Sequence, residues 1–361
     1  MNAKEYLENY KKDLEPLLRG YFENKKRNFK KIDPLADEAM RAIEKFTMSG
    51  GKRIRPAMVY YGFLLGGGEA DKKNKKNILQ ASMAMELIHS FLLIHDDIID
   101  RDKKRHGVDT MHEYYKKVAE KFFPKTDKEH FGNSMAIIAG DLAASMANEI
   151  LFESNFSSDV ILKALRQLQK VVYTTIPGEM LDVVMEARGK STESEILKMH
   201  EGKTAFYTFE GPLHLGIILA SNNSEKLLRN ISDYSMAVGK AFQIRDDILG
   251  VFGDEKKLGK PIGSDIIESK QTLLVIKVLE NGNEEQKEII RGLLGKKDLS
   301  SKELESFRKV VIETGALKYS EDLARKFSKD SFEMLENIDS QNFEAKDFLG
   351  KIAEYTAVRN C

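Results

Sequence analysis

The sequence has few of the residues that cross-link a chain or interrupt a helix. Its 361 residues include one cysteine, seven prolines and no tryptophan. The single cysteine, Cys361, excludes an internal disulfide framework and fits a protein of a reducing compartment. Because proline is scarce, long stretches can form uninterrupted helices. These absences favour an intracellular, helix-rich protein over a small cross-linked secreted one.

The sequence also lacks a net charge and an obvious membrane segment. The 57 Lys and Arg residues balance 57 Asp and Glu residues, so no overall field attracts nucleic acid or anionic lipid. The first residues are charged from Lys4 onward, and we find no signal peptide or run of about 18 apolar residues. We expect a cytoplasmic protein with no nucleic-acid partner and no stable membrane anchor. Any anion-binding site must then be local.

Helical periodicity extends through most of the chain. Apolar residues recur at spacings of three and four, most clearly over residues 78–100 and 227–252. Short breaks rich in Gly, Asn, Ser or Pro occur at residues 64–77, 122–133, 154–159, 221–225, 281–285 and 295–301. No alternating strand pattern lies between them. The sequence therefore predicts one all-α domain over residues 1–361, a large helical bundle with a central cavity.

The first chemical motif is a group of aspartates at the end of an apolar helical run. Asp96 and Asp100 are four residues apart, so they lie on one helix face about one turn apart, and Asp97 is adjacent. Two such carboxylates repel each other unless a cation lies between them, and hard oxygen ligands suit Mg²⁺. A solvated acidic helix end is the alternative. The apolar residues 90–95 before the group favour a position where a buried helix reaches a cavity.

A second acidic pair, Asp246 and Asp247, follows another apolar helical run about 150 residues later. Either pair alone is weak support for a metal site. Two pairs on long helices could face each other across a bundle and hold several Mg²⁺ ions around one diphosphate.

The third motif is "SGGKRIRP", residues 49–56. Its two glycines allow the backbone to approach a ligand closely, and Lys52, Arg53 and Arg55 supply dense positive charge. A solvated basic loop is the alternative, and this motif alone does not decide between the two. Further cations favour anion binding; they are Arg105, Lys203 beside Thr204, Lys260 and Lys270.

Together these motifs resemble a known family. "GGKRIRP", "HDDIIDRDKKRHG", "GDLAASMA", "GEMLD", "KTAFYTFEGP" and "FQIRDDILGVFGDEKKLGKPIGSD" occur in the order found in trans-isoprenyl diphosphate synthases, or polyprenyl synthetases. The resemblance extends from about residue 49 to residue 275 and is strongest to archaeal geranylgeranyl diphosphate synthases. It implies the isoprenoid synthase fold, a homodimer, and condensation of isopentenyl diphosphate with an allylic diphosphate.

The resemblance also implies roles for individual residues. Asp96, Asp100 and Asp246 match direct Mg²⁺ ligands, with Asp97 and Asp247 in support. Isopentenyl diphosphate would be bound by Lys52, Arg55 and His89. The allylic diphosphate would be bound by Arg105, Lys203 and Lys260, whereas Thr204 and Gln243 match groups that face the allylic cation. Lys270 is a further candidate for binding diphosphate.

Product length in this family depends on the helix before the first aspartates. Phe91 lies five residues before Asp96, with Leu92 and Ile88 nearby, so one aromatic side chain would close the hydrocarbon tunnel. This pattern resembles that of geranylgeranyl diphosphate synthases, with farnesyl diphosphate as the alternative product. Plain core packing of Phe91 is compatible with this role. A class I terpene cyclase and a non-catalytic synthase subunit are the other hypotheses.

The chain departs from the family pattern at three positions. His106 follows Arg105 where the family usually has a second arginine that binds isopentenyl diphosphate, so His106→Arg should lower the KM for that substrate. Gly250 stands where many members have a third aspartate of the second acidic motif. Glu179 replaces a common glutamine, and the sequence alone does not explain that change.

Overall fold

The computed structural model describes residues 1–69, 71–222, 224–254 and 262–358, and it confirms the predicted all-α fold class. The regular elements of these residues are α1 (Ala3–Phe29), α2 (Pro34–Met48), α3 (Ile54–Leu65), α4 (Lys72–Ile99), β1 (Lys104–Arg105), β2 (Val108–Asp109), α5 (Met111–Phe122), α6 (Lys128–Phe152), α7 (Ser158–Arg188), α8 (Glu193–His200), a π-helix (Glu201–Glu210), α9 (Gly211–Leu219), α10 (Glu225–Phe252), α11 (Ser264–Ile267), α12 (Leu273–Asn281), α13 (Glu284–Leu293), α14 (Ser301–Glu313), α15 (Ala316–Glu336) and α16 (Phe343–Val358).

Each break predicted from Gly, Asn, Ser and Pro coincides with a connection between helices. The sequence did not predict two local features, the π-helix and the β1–β2 hairpin. In the hairpin Lys104 pairs with Asp109 and Arg105 pairs with Val108. The turn residues His106 and Gly107 have φ of 50° and 79°. Two-residue hairpin turns with positive φ at both positions match the natural twist of the strands.

The described chain divides into two compact units. The first comprises Met1–Leu168 with Pro212–Asn222, and the second comprises Gln169–Gly211 with the remainder from Asn223. The prediction of one domain over residues 1–361 is not decided by this division and stays a prediction.

Helix α4 forms the centre of the first unit and packs against α1, α2, α3, α5 and α6. Asp71 caps its first turn by accepting hydrogen bonds from the backbone N–H groups of Lys73 and Asn74. By length and composition α4 and α6 could each cross a membrane, but 67% of the apolar window of α4 is buried inside the protein. For α6 the buried share is 44%. Burial explains the apolar character of α4 as that of a core helix.

Helix α10 has the same central position in the second unit. It packs against the π-helix, α8, α15 and α16, and Ser224 caps its first turn by accepting from the N–H of Leu227. The core around its C-terminal half is formed by aliphatic residues of α10, α12 and α14, including Ile244, Ile248 and Val310. In each unit, one of the two acidic motifs thus lies at the C-terminal end of a long, largely buried helix.

Candidate active site

The first acidic motif lies at the C-terminal end of α4. The N–H of Asp100 caps the helix by donating to the carbonyl of Asp96 at 2.8 Å. Helix C-termini carry a partial negative charge, which disfavours carboxylates, and the last turn of α4 contains no basic residue. Three aspartates at this end therefore need cations from elsewhere.

Arg105, on the β1–β2 hairpin, supplies one such cation. Its Nε donates to Oδ1 of Asp97 at 2.6 Å, and its Nη2 lies 3.3 Å from Asp102 and 3.5 Å from Asp96. The hairpin therefore holds the guanidinium against the acidic end of α4. The guanidinium thus offsets part of the negative charge at this end of the helix.

The three aspartates differ in burial. Asp97 is fully buried, and its Oδ2 has no hydrogen-bond partner within the described residues. Burial raises the pKa of Asp97 to about 7, although Arg105 acts in the opposite direction. Asp96 and Asp100 are partly exposed, so their oxygens are accessible to a ligand. This donor set fits a hard cation such as Mg²⁺, with Asp97 engaged by Arg105 instead.

The basic loop before α3 separates its cations into two kinds. Arg53 adopts a left-handed conformation with φ of 53°, and its buried guanidinium forms ion pairs with Glu86 of α4 and Glu15 of α1. Lys52 is exposed, and Arg55 is the second residue of α3. The charge pattern alone did not separate the three cations, and the family resemblance assigned only Lys52 and Arg55 to a substrate. In the fold Arg53 fastens the loop through its ion pairs. Lys52 and Arg55 are the better candidates for anion binding.

His89 of α4 lies beside this loop, with its Nε2 3.2 Å from Nη1 of Arg55. Burial and the neighbouring Arg55, Arg105 and Arg53 hold the pKa of His89 well below its usual value. A neutral imidazole accepts a hydrogen bond from Arg55 and leaves the charge of the guanidinium intact. His89 and Arg55 thus form one unit, as their shared assignment to isopentenyl diphosphate predicts.

His106 approaches the same loop from the hairpin. A Cβ at Gly50 would lie 2.9 Å from Cγ of His106, so the absence of a side chain at residue 50 makes room for the imidazole. Burial, followed by Arg105, Arg53 and Lys52, lowers the pKa of His106. The residue therefore stands next to the cationic loop as a neutral group at pH 7, not as the second positive charge of a family arginine.

In the second unit, α7 and the π-helix cross at two glycines. A Cβ on Gly178 would overlap the backbone nitrogen of Lys203, and a Cβ on Gly202 would lie 3.1 Å from Cα of Gly178. The backbones touch because neither residue has a side chain. π-helices are rare and frequently occur at functional sites. This one carries Lys203 and Thr204.

The crossing brings Lys203 against two carboxylates of α7. Its Nζ lies 2.7 Å from Oε2 of Glu179 and 2.8 Å from Oδ2 of Asp182. Lys270 also contacts Oδ2 of Asp182, at 3.3 Å. Asp182 belongs to the quoted motif "GEMLD", but the sequence analysis did not single it out. We call Glu179, Asp182, Lys203 and Lys270 the lysine cluster.

Thr204 and Gln243 are in contact, as their shared assignment predicts. Oγ1 of Thr204 donates to Oε1 of Gln243 at 2.7 Å, and Nε2 of Gln243 donates to Oδ1 of Asp247 at 2.9 Å. Oδ2 of Asp247 lies 3.3 Å from Nε2 of His200, a fully buried histidine that the sequence analysis missed. Asp247 therefore accepts from the amide of Gln243 and lies beside the imidazole of His200, while Asp246 is the more exposed of the pair.

Gly250, where many family members have a third aspartate, lies against the carboxylate of Asp265. A Cβ on Gly250 would overlap Oδ2 of Asp265, and the N–H of Gly263 donates to the carbonyl of Gly250 at 2.9 Å. The carboxylate of Asp265, on α11, thus lies against α10 at Gly250. The predicted diphosphate ligand Lys260 lies outside the described residues.

The predicted tunnel residues lie together on α4. Ile88 is buried, Leu92 is partly buried, and the Phe91 ring packs edge-on against the His95 ring with centroids 4.9 Å apart. Nε2 of His95 lies 3.2 Å from the carbonyl of Ile137 on α6, and a Cβ on Gly140 would overlap the imidazole. The position of Phe91 therefore depends on α6 through His95.

Comparison with known proteins identifies the family. Residues 36–311 match the model of the family described as Polyprenyl synthetase. The chain belongs to the polyprenyl synthetase family. It is therefore an enzyme, a trans-prenyltransferase that elongates isoprenoid diphosphates, as the motifs predicted.

Individual relatives give the finer picture. The chain is 35% identical over 336 residues, 92% of each chain, to the geranylgeranyl diphosphate synthase of Saccharolobus solfataricus. It is 31% identical, over 92% of its length and 97% of the relative, to the geranylfarnesyl diphosphate synthase of Aeropyrum pernix. The Corynebacterium glutamicum geranylgeranyl pyrophosphate synthase, solved with isoprenyl diphosphate and magnesium, superposes with a TM-score of 0.89 at 29% identity over 99% of both chains.

Proposed function

We propose that the protein is a Mg²⁺-dependent geranylgeranyl diphosphate synthase, which condenses isopentenyl diphosphate with dimethylallyl, geranyl or farnesyl diphosphate. The observation that carries the proposal is the grouping of Asp96, Asp97 and Asp100 at the negative C-terminal end of α4, where Asp96 and Asp100 are partly exposed. Carboxylates gathered at the negative pole of a helix are costly without a cation. Names of similar proteins support a diphosphate substrate and this product.

In the first unit Asp96 and Asp100 would bind Mg²⁺, with Asp97 in support, and in the second unit Asp246 would bind Mg²⁺, with Asp247 in support. When bound, the metal ions would stabilise the negative charge of the departing allylic diphosphate. Asp97 positions Arg105 beside the first aspartates, and Asp247 fixes Gln243, which in turn fixes Thr204. The hydroxyl of Thr204 and the amide of Gln243 can then face a cationic allyl group without adding a positive charge that would repel it.

The two diphosphates would use different cations. Isopentenyl diphosphate would bind Lys52, Arg55 and His89, with His106 at the edge of the same loop. The allylic diphosphate would bind Arg105 and Lys203, together with Lys260 and Lys270. Charged hydrogen bonds from such donors orient the substrates for attack of the isopentenyl double bond on the allylic carbon.

A direct assay tests this proposal against its alternatives. Purified protein is incubated with Mg²⁺, labelled isopentenyl diphosphate and each allylic primer, and the products are separated by chromatography. A twenty-carbon diphosphate supports the proposal, whereas a fifteen- or twenty-five-carbon product would replace geranylgeranyl with farnesyl or geranylfarnesyl diphosphate. Cyclic hydrocarbon, or no product with any primer, would contradict it.

We further propose that Phe91, with Leu92 and Ile88, sets the product length. Phe91→Ala removes the aromatic ring and should shift the product distribution by at least one five-carbon unit upward. Leu93→Ala is the matched control, because it shortens a neighbouring, partly buried side chain of α4 that has no assigned role and leaves the Phe91–His95 contact in place. An unchanged chain length in Phe91→Ala would remove Phe91 from this role.

We also propose a cytoplasmic homodimer. Ile137 and Ile138 on α6 are 47% and 58% exposed, and exposed large apolar side chains are typical of a subunit interface. The same contact would cover part of the apolar surface of α6. Sedimentation equilibrium of the wild type and of Ile138→Glu distinguishes this dimer from a monomer or a membrane-associated state.

A further inference from the structure

Glu179 has no part in the proposed chemistry, yet it contacts a proposed diphosphate ligand. It replaces a glutamine common in the family, and its Oε2 lies 2.7 Å from Nζ of Lys203. The glycine crossing of α7 and the π-helix keeps the two residues at this distance, because a side chain at Gly178 would force the backbones apart. The fold therefore determines the contact between Glu179 and Lys203.

Asp182, one turn along α7, has a different environment. Its side chain is 6% exposed and its Oδ2 contacts both Lys203 and Lys270, whereas the Glu179 side chain is 21% exposed. Burial alone would raise the pKa of Asp182, but the two lysines more than offset this and lower it. Asp182 thus supplies a buried, ionised counter-charge that joins both lysines, and Glu179 adds a second carboxylate at Lys203.

The second carboxylate changes the charge that a ligand would meet. Two carboxylates and two ammonium groups in the lysine cluster sum to zero, whereas glutamine at residue 179 would leave one positive charge. An ammonium group has three donors, and carboxylate and phosphate oxygens compete for the same donors. To bind Lys203, a diphosphate must therefore displace Glu179 from the ammonium group while remaining close to the negative charge of that carboxylate.

We propose that Glu179 is a positioning residue that occupies Lys203 and makes the binding of a diphosphate there depend on divalent metal. This inference rests on the proposed function, in which Lys203 binds the allylic diphosphate. A diphosphate that has its charge reduced by metal ions tolerates the nearby carboxylate, whereas the bare anion is repelled. The consequence for turnover is that inorganic diphosphate, the by-product, loses its hold on Lys203 once its metal ions dissociate.

The test measures binding of inorganic diphosphate by titration calorimetry in the presence of EDTA. Glu179→Gln keeps the size of the side chain and removes its charge, and we expect about tenfold tighter metal-free binding than in the wild type. Glu179→Asp keeps the charge and should bind as weakly as the wild type. Glu186→Gln is the matched control, since it removes the same charge from α7 two turns away.

Two results would overturn the proposal. The first is an affinity of Glu179→Gln within twofold of the wild type, and the second is an equal gain in Glu186→Gln, which would indicate a general field effect. The gain of Glu179→Gln should also shrink as salt is raised, because it is electrostatic. Failure of the proposed function is read separately, as absence of wild-type elongation with Mg²⁺ and primer, and does not alter the metal-free comparison.

Discussion

The two acidic motifs look alike in sequence, but their paired aspartates have opposite partners. At the end of α4 the buried Asp97 faces the guanidinium of Arg105, whereas on α10 the buried Asp247 is held by the amide of Gln243 and lies beside His200. In each pair the other aspartate, Asp96 or Asp246, is the more exposed one. The comparison suggests that one aspartate of each pair binds metal and the other positions a neighbour.

The largest expected effect separates these two roles. Asp96→Asn and Asp246→Asn should each lower kcat by about a thousandfold or more, because a neutral amide replaces a carboxylate that would hold the metal ions. Steady-state rates at saturating Mg²⁺ measure this, and Asp102→Asn is a control that removes a nearby charge of the same region. A loss of less than tenfold in either variant would contradict the assignment of that aspartate.

The sequence predicted the elements better than their local partners. Apolar periodicity and turn residues were sufficient to locate the helices, because long buried helices leave a strong pattern. The same pattern could not distinguish Arg53, which faces Glu86 inside the protein, from Lys52 and Arg55 beside it. Nor could it find His200 or Asp182, since their partners lie far away in the chain. The pattern did not predict the π-helix either, because apolar spacing does not distinguish it from an α-helix.

The next prediction compares the partners of the two buried aspartates. Arg105→Met leaves Asp97 buried without its cation and should lower the free energy of unfolding by about 3 kcal/mol. Gln243→Leu removes the uncharged amide that donates to Asp247 and should lower the free energy of unfolding by about 1 to 2 kcal/mol. Urea denaturation of both variants measures the difference. Equal losses would show that the two aspartates are held equally strongly, contrary to the comparison.

A further prediction concerns the close approach of Asp265 to Gly250 in the second motif. Gly250→Ala would place a Cβ against Asp265, so we expect a loss of about 1 to 2 kcal/mol in the free energy of unfolding as Asp265 is displaced. A double variant that combines Gly250→Ala and Asp265→Gly has no such overlap. In its double-mutant cycle, Gly250→Ala should therefore no longer lower the free energy of unfolding. Additive effects of the two changes would mean that residue 250 and Asp265 do not compete for the same space.

The smallest expected effect concerns pH and arises from the cationic surroundings of the first unit. Burial and three arginines lower the pKa of His89. Below about pH 6.5 the imidazole therefore binds a proton in the unfolded chain but stays unprotonated in the folded protein. The sign follows directly: this contribution to stability is present above pH 6.5 and is lost as the pH falls toward the folded pKa, at about 1.4 kcal/mol per pH unit. His89→Gln retains an acceptor for Arg55 but cannot titrate. Its free energy of unfolding should therefore fall less than that of the wild type between pH 7.5 and 5.5, and parallel curves would show that His89 is protonated in the folded protein.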